Sequence, residues 1–235
     1  MKNDVWESEY FETYDQILLN SDIYLAVRDF HINSMRNCFR VLDSGCGTGN
    51  VTLELLKKGQ TVYAIDNSKK ALDVLRKKCR EYRQRLHILN VDAKNLPFEN
   101  AMFDGVSSMF VVYYIDDPEA YLRESYRVLR TGGTLALTAR VSSENMERVL
   151  KSYEKSLKEK GLLPKLKSEF LVFSEKFLSS VAKAVVSGYT FEEMENILGD
   201  IGFTNIKERP NPYFGQCYSL IGHKGRATRR LTSYC

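Results

Sequence analysis

The apolar positions of the chain follow two alternating periods. Residues 39–43, 61–65, 86–89, 103–110 and 134–139 are short apolar or β-branched runs of strand length. Between them lie stretches with helical spacing. Val51, Leu53, Leu55 and Leu56 precede a stop at Gly59. Ala71, Leu72, Leu75, Cys79 and Tyr82 recur at intervals of three and four, with Asn67 or Ser68 placed to cap that helix. Asp117-Pro118 opens another helix, the acid as cap and the proline at the first helical position, and the Thr131-Gly132-Gly133 turn closes it. Strands alternating with helices at this rhythm predict an α/β fold: a mostly parallel sheet covered by helices on both faces.

The flanks differ from this core. Residues 5–35 read as helical and aromatic, with Trp6, Tyr10, Phe11, Tyr14, Tyr24 and Phe30. Residues 142–188 are helical and lysine-rich, broken at Gly161 and Pro164. Thr190-Phe191-Glu192-Glu193 is a capping box that starts one more helix. Two strands follow, 203–208 and 217–222, joined by a loop with Pro210 and Pro212. No internal repeat and no linker separates a second unit. The expected organisation is one domain: an N-terminal helical lid (1–37), a cofactor-binding core (38–141), an inserted helical cap (142–188), a final helix with two strands (189–223) and a basic tail (224–235).

Composition narrows the class. The 235 residues are 43% hydrophobic and 27% charged, which is ordinary for a soluble globular chain. No apolar run reaches the ~18 residues of a membrane span. Cys38, Cys46, Cys79, Cys217 and Cys235 are scattered without a C-x-x-C pair, so neither a metal site nor a disulfide framework is expected. With no apolar leader after Met1, the expected compartment is a reducing cytoplasm. The net charge of +4 equals that of Lys224, Arg226, Arg229 and Arg230 in the tail, so the remainder is near neutral. A globally basic nucleic-acid binder would look different. Residues 69–85 do hold eight basic residues against Asp73 and Glu81, which reads first as the solvated face of an amphipathic helix.

The candidate chemistry lies at the strand ends. The first strand runs into Ser44-Gly45-Cys46-Gly47-Thr48-Gly49 and then a helix. Such a unit lets backbone approach a ligand closely. Its glycines read G-x-G-x-G, and Asn50 stands where a dinucleotide fingerprint would have its third glycine. Asp66 ends the second strand, where a carboxylate can accept bonds from ribose hydroxyls. Asp92 follows the third strand between Val91 and Ala93, where it could accept from an adenine amino group. Three acids at the carboxyl ends of successive strands fall on the sheet edge where open α/β sheets bind ligands.

Val41-Leu42-Asp43-Ser44-Gly45-Cys46-Gly47-Thr48-Gly49 resembles the first motif of class I S-adenosylmethionine-dependent methyltransferases. Asp92-Ala93 with Leu96-Pro97-Phe98 resembles the adenine segment of their small-molecule and ubiquinone-biosynthesis-type members. Phe103-Asp104-Gly105-Val106 and the segment from Arg127 to Gly133 resemble their fourth strand and the turn before their fifth. The resemblance covers roughly residues 38–140. It implies a seven-stranded sheet with the last strand antiparallel and S-adenosyl-L-methionine as cofactor. It implies that Asp43 and the loop Gly45, Cys46, Gly47 and Gly49 hold the methionine portion. Asp66, with Asn67 beside it, would hold the ribose, Asp92 and Ala93 the adenine, and Met109 would lie next to the cofactor.

On the acceptor side the sequence assigns no catalytic residue outright. His31 is the candidate base, although a surface or capping histidine is the plainer reading; Tyr14, Tyr113 and Tyr114 are candidates for facing the acceptor. His87 falls at the wrong edge of the sheet, and His223 reads as part of the exposed tail. The motifs of amino-methylating nucleic-acid enzymes, of cytosine C5 enzymes and of protein arginine methyltransferases are absent. That leaves O-, N- or C-methylation of a small or medium-sized acceptor as the leading function. The alternatives are a methyltransferase for RNA or a peptide, a non-catalytic cofactor-binding module, and, against the glycine spacing, an NAD-dependent oxidoreductase. The two flanking segments are expected to meet above Tyr113 and Tyr114 and enclose an apolar acceptor pocket.

Overall fold

The computed structural model describes residues 10–141, 146–183 and 188–225. Trp6 and the tail from Arg226 onward lie outside the described residues. Two helices come first, α1 (Tyr10–Leu18) and α2 (Asp22–Ser34). The core then alternates β1 (Arg40–Ser44), α3 (Asn50–Lys57), β2 (Thr61–Asp66), α4 (Lys69–Lys78), β3 (Leu86–Asn90), β4 (Phe103–Met109), α5 (Pro118–Val128) and β5 (Leu129–Arg140). Next come α6 (Met146–Glu159), α7 (Lys167–Lys183), α8 (Phe191–Ile201), β6 (Phe203–Arg209) and β7 (Cys217–Lys224).

The strands form one sheet in the order β3-β2-β1-β4-β5-β7-β6. β1 to β5 pair in parallel, and β7 runs antiparallel to both β5 and β6. The helix starts obey their sequence signals. Ser68 Oγ accepts from Ala71 N at 3.3 Å, which selects Ser68 over Asn67 as the cap of α4. Asp117 caps α5 by accepting from Ala120 N at 3.0 Å, and Thr190 and Glu193 close a reciprocal capping box at α8.

Period-two alternation splits the strand side chains between two cores. Leu42, Val106, Leu135 and Leu137 pack with Tyr121, Leu122 and Leu198 under α5 and α8. Val41, Val62, Ala64 and Ala136 pack with Ile32, Leu55 and Leu75 under α2, α3 and α4. A third cluster lies off the sheet edge: Ile17, Tyr24 and Val27 of the N-terminal helices against Val149, Tyr153, Leu157 and Phe173 of α6 and α7.

Several expectations are corrected. The residues around Gly132-Gly133 do not separate helix from strand. β5 begins at Leu129 and carries the glycines inside an irregularity, where the register slips between Phe103 and Gly105. A Cβ on Gly133 would stand 2.8 Å from the Arg130 carbonyl, so only glycine fits that bend. Tyr82 lies in a short 3-10 turn after α4 rather than in the helix. His223 and Lys224 belong to β7, not to a tail. His223 pairs with Thr134 across the sheet, and Lys224 Nζ donates to the Tyr126 carbonyl at 2.8 Å.

Candidate active site

The carboxyl ends of β1 to β5 open into one cavity. Its floor and walls divide by chemistry. The β1–β3 side carries Asp43, Asp66 and Asp92, with Gly45, Cys46, Gly47, Asn67 and Ala93 between them. The side under the flanking helices carries Tyr14, Tyr113, Tyr114, Tyr153, Phe177 and Tyr213. Met109, at the end of β4, lies between the two.

The glycine loop is shaped by left-handed backbone. Gly45, Gly47 and Gly49 have φ of +71°, +52° and +82°. A Cβ on Gly45 would come within 2.3 Å of Val111, and one on Gly49 within 2.7 Å of Leu75, so both glycines are required by packing. A Cβ on Gly47 would meet nothing within 4 Å. That glycine holds open space at the cavity wall instead of filling a contact. Asp66 braces the loop: its Oδ2 accepts from Gly47 N and its Oδ1 from Ser68 N, each at 2.9 Å. Burial nevertheless raises its carboxyl above the ordinary range, against those backbone bonds. Asp92 stays at the rim, accepting from Lys94 N at 2.9 Å.

Asp43 is the buried member of the three acids, 2% exposed. Burial pushes its carboxyl up to about 6, although Thr52 Oγ1 donates to it at 2.5 Å and the Ser107 hydroxyl bonds it as well. Behind it a polar stripe crosses the sheet. Ser107 Oγ lies 3.0 Å from His31 Nδ1, His31 Nε2 lies 2.8 Å from Thr138 Oγ1, Thr138 lies 2.9 Å from Ser219 Oγ, and Asn211 Nδ2 donates to Ser219 at 2.8 Å. The two ends fix the direction of the chain. The Asn211 amide nitrogen can only donate, its oxygen being the acceptor for Tyr213 N, and an ionised Asp43 can only accept. Each hydroxyl then donates toward Asp43, and His31 is the neutral tautomer with its proton on Nδ1.

This placement corrects the reading of His31. It is fully buried and does not line the cavity, and burial drives its pKa down to about 3. It is neither a surface histidine nor a group facing the acceptor. Period-two alternation explains the layout. Ser107, Thr138 and Ser219 lie one pleat below Met109, Arg140 and Cys217, which form the cavity floor.

Tyr14, Tyr113 and Tyr114 do reach the cavity. The last two sit on a 3-10 turn after β4, their rings 4.6 Å apart at the centroids. Burial holds the Tyr113 phenol well above its ordinary value. The preceding Phe110 has φ of +62°, a strained value for a non-glycine residue, at the point where the chain turns over the cavity.

Two groups escaped the sequence reading. Asp15 of α1 accepts from Thr48 Oγ1 at 2.6 Å, Asn50 Nδ2 at 2.9 Å and Lys78 Nζ at 2.5 Å, tying the first helix to the glycine loop and to α4. Arg140, at the end of β5, lines the cavity with its guanidinium 4.6 Å from the Tyr113 ring centroid. Neither belongs to a local motif. Their partners are 33 and 27 or more residues away in sequence, so no spacing signals them.

A family model described as a methyltransferase domain matches residues 42–137. Among curated proteins, the chain is 31% identical over 175 residues to the ubiquinone/menaquinone biosynthesis C-methyltransferase of Vibrio parahaemolyticus, covering 72% of this chain and 65% of that protein. It is 25% identical over 227 residues to the mitochondrial 2-methoxy-6-polyprenyl-1,4-benzoquinol methylase of Caenorhabditis elegans, covering 91% and 76%. The chain spans less than two thirds of several curated relatives, 65% of the Vibrio protein and 28% and 39% of two others. In fold it resembles the crystal structure of a proposed S-adenosyl-L-methionine-dependent methyltransferase from Methanococcus maripaludis, with a TM-score of 0.62 at 19% identity over 93% of this chain and 94% of that one. Among the described residues no helix is long and apolar enough to cross a membrane.

Proposed function

We propose that the chain is a class I S-adenosylmethionine-dependent methyltransferase, as its similarity to a methyltransferase-domain model and to quinone-pathway methyltransferases supports, and that it methylates oxygen, nitrogen or carbon of a small or medium-sized acceptor. The observation that carries this reading is the division of one cavity into an acidic half and an aromatic half that share Met109. The acidic half fits the cofactor's groups. Asp43 and the Gly45–Gly49 loop would hold the methionine portion, Asp66 and Asn67 the ribose, and Asp92 and Ala93 the adenine. The space kept open at Gly47 and the unoccupied acceptor capacity of the acids suit a ligand with an ammonium and two hydroxyls. When bound, S-adenosylmethionine supplies an electrophilic methyl group.

The protein's own part is position and dryness. Methyl transfer gains from holding the acceptor atom in line with the methyl group, because well-oriented reactants behave as if at a very high local concentration. α1, α2, α6 and α7 would serve as a lid, and their rings would exclude water from the reacting centre. Tyr113, with its phenol held protonated, can donate a hydrogen bond to the acceptor but is not suited to take a proton at neutral pH. Aromatic walls suit a flat, apolar acceptor, in keeping with the quinone-pathway and benzoquinol names of the two relatives.

Calorimetry with S-adenosylhomocysteine tests the cofactor half. Wild-type protein should bind, and Asp66→Ala should bind at least tenfold more weakly, because hydrogen bonds to a charged acceptor contribute ~1.5–3 kcal/mol each. Unchanged affinity in the variant rejects the assignment of Asp66, and no binding by wild type rejects the function.

A further inference from the structure

Asp43 and Ser107 are paired in register on β1 and β4, so their side chains leave the sheet on the same face, the one that α2 covers. Ser107 is fully buried, and so is His31 of α2, whose Nδ1 stands 3.0 Å from the Ser107 oxygen. A serine hydroxyl has one proton. It can be donated to Asp43 or to His31, not to both.

The direction is set on the far side of His31. Asn211 Oδ1 accepts from Tyr213 N at 3.0 Å, and the Asn211 amide nitrogen donates to Ser219 Oγ at 2.8 Å. Ser219 then donates to Thr138, and Thr138 to His31 Nε2. A ring nitrogen that accepts carries no proton, so neutral His31 holds its proton on Nδ1 and donates it to Ser107. The Ser107 proton is left for Asp43. Apart from Asp43, none of these groups lines the cavity, so the run can act on a ligand only through that acid.

We propose that Ser107 is a positioning residue for cofactor binding: with its hydroxyl turned by His31 toward Asp43, it keeps that carboxylate charged for the cofactor's ammonium. This rests on the methyltransferase reading and on the place of Asp43 in it. A donor to the carboxylate favours the charged form and opposes the burial that disfavours it. Thr52 Oγ1 gives one such bond from α3, and Ser107 gives another from β4. The remaining titratable groups that face Asp43 do not take over this part. Burial holds the Tyr24 phenol of α2, the Tyr121 phenol of α5, the Cys46 thiol of the glycine loop and the Cys79 thiol after α4 above their ordinary values, so all four are uncharged between pH 5 and pH 8. Asp66 of β2 is a like charge and disfavours ionisation of Asp43.

The test uses full-length protein and S-adenosylhomocysteine, with calorimetry from pH 5 to pH 8, a range in which the ligand's own ammonium keeps its charge. Wild-type affinity should rise around pH 6. In Ser107→Ala the rise should move up by about one pH unit, which makes binding about fivefold weaker at pH 6 and nearly equal at pH 8. Ser107→Thr, which keeps the hydroxyl, should restore the wild-type profile. An unshifted profile in Ser107→Ala overturns the proposal. So does a loss of the same size at every pH, which is what a purely structural residue would give. Long-range proton–nitrogen NMR of the ligand-free protein reads the His31 tautomer separately. Its proton should be on Nδ1, against the Nε2 preference of a free histidine side chain, and a proton on Nε2 overturns the proposal whether or not the cofactor binds. A wild type that binds no S-adenosylhomocysteine overturns the methyltransferase reading and this inference together, whereas binding with an unshifted variant profile overturns this inference alone.

Discussion

Asp43 shows what burial does to a single side chain at this site. Its carboxyl is pushed from an ordinary 3.8 to about 6, with burial the main cause and Thr52 and Ser107 opposing it. The sign for stability follows. An acid whose folded pKa is raised favours the folded state fully below 3.8, and that contribution, of the order of 3 kcal/mol, is lost as pH rises through about 6. Ligand binding runs the other way, because an ammonium is held by the ionised carboxylate. S-adenosylhomocysteine affinity should therefore rise about tenfold between pH 5 and pH 7, in proportion to the ionised fraction of Asp43. Asp43→Asn should flatten most of that rise. Calorimetry at a series of pH values decides the matter; a wild-type affinity that is flat across this range would show that the buried acid does not face the ammonium.

Among the elements, α1 has little local reason to stay in place. It has only nine residues, too few for a stable isolated helix, and it is held by contacts from elsewhere. On one side Asp15 gathers Thr48, Asn50 and Lys78. On the other, Tyr14 packs at 6.1 Å from Phe173, which stacks at 5.6 Å on Phe177 in α7. Asp15→Ala removes three hydrogen bonds and leaves the half-buried Lys78 ammonium without its carboxylate, a loss of about 1–3 kcal/mol. Hydrogen exchange in this variant should speed up in peptides from α1 and α7 together and leave β1–β3 unchanged. Faster exchange in α1 alone would show that the two helices do not move as one lid.

For the whole molecule, the polar stripe from Asn211 to Asp43 links the β6–β7 loop, β7, β5, α2, β4 and β1 in one run of hydrogen bonds. His31 is its centre and must be neutral for the run to hold. Burial lowers its pKa from 6.5 to about 3, so the stability it contributes is complete above pH 6.5 and is lost as pH falls toward 3. Each proton taken up on unfolding steepens the loss by about 1.4 kcal/mol per pH unit. His31→Gln keeps a donor and an acceptor but cannot titrate. Urea unfolding between pH 6 and pH 4 should give this variant a lower stability at neutral pH and a pH slope shallower by close to one proton. An unchanged slope would mean that His31 is not the group that titrates.

The sequence by itself determined the strand–helix order, the helix caps, the glycine loop and the positions of Asp43, Asp66 and Asp92, because each is set within a few residues by periodicity, turn chemistry or strand-end placement. It also determined that two apolar, aromatic segments were left over from the core. Tertiary structure alone decided what meets them. His31 reads in the sequence like any helical histidine, and only the pairing of β4, β5 and β7 beside α2 turns it into the buried centre of a polar stripe. Asp15 and Arg140 acquire their roles through partners brought together by the fold. The Gly132-Gly133 pair signalled a turn, but cross-strand pairing absorbed it as an irregularity within β5. The physical reason is the same in each case. Local rules act over a turn of helix or a pair of strand residues, whereas burial and charge are fixed by what the other elements place alongside.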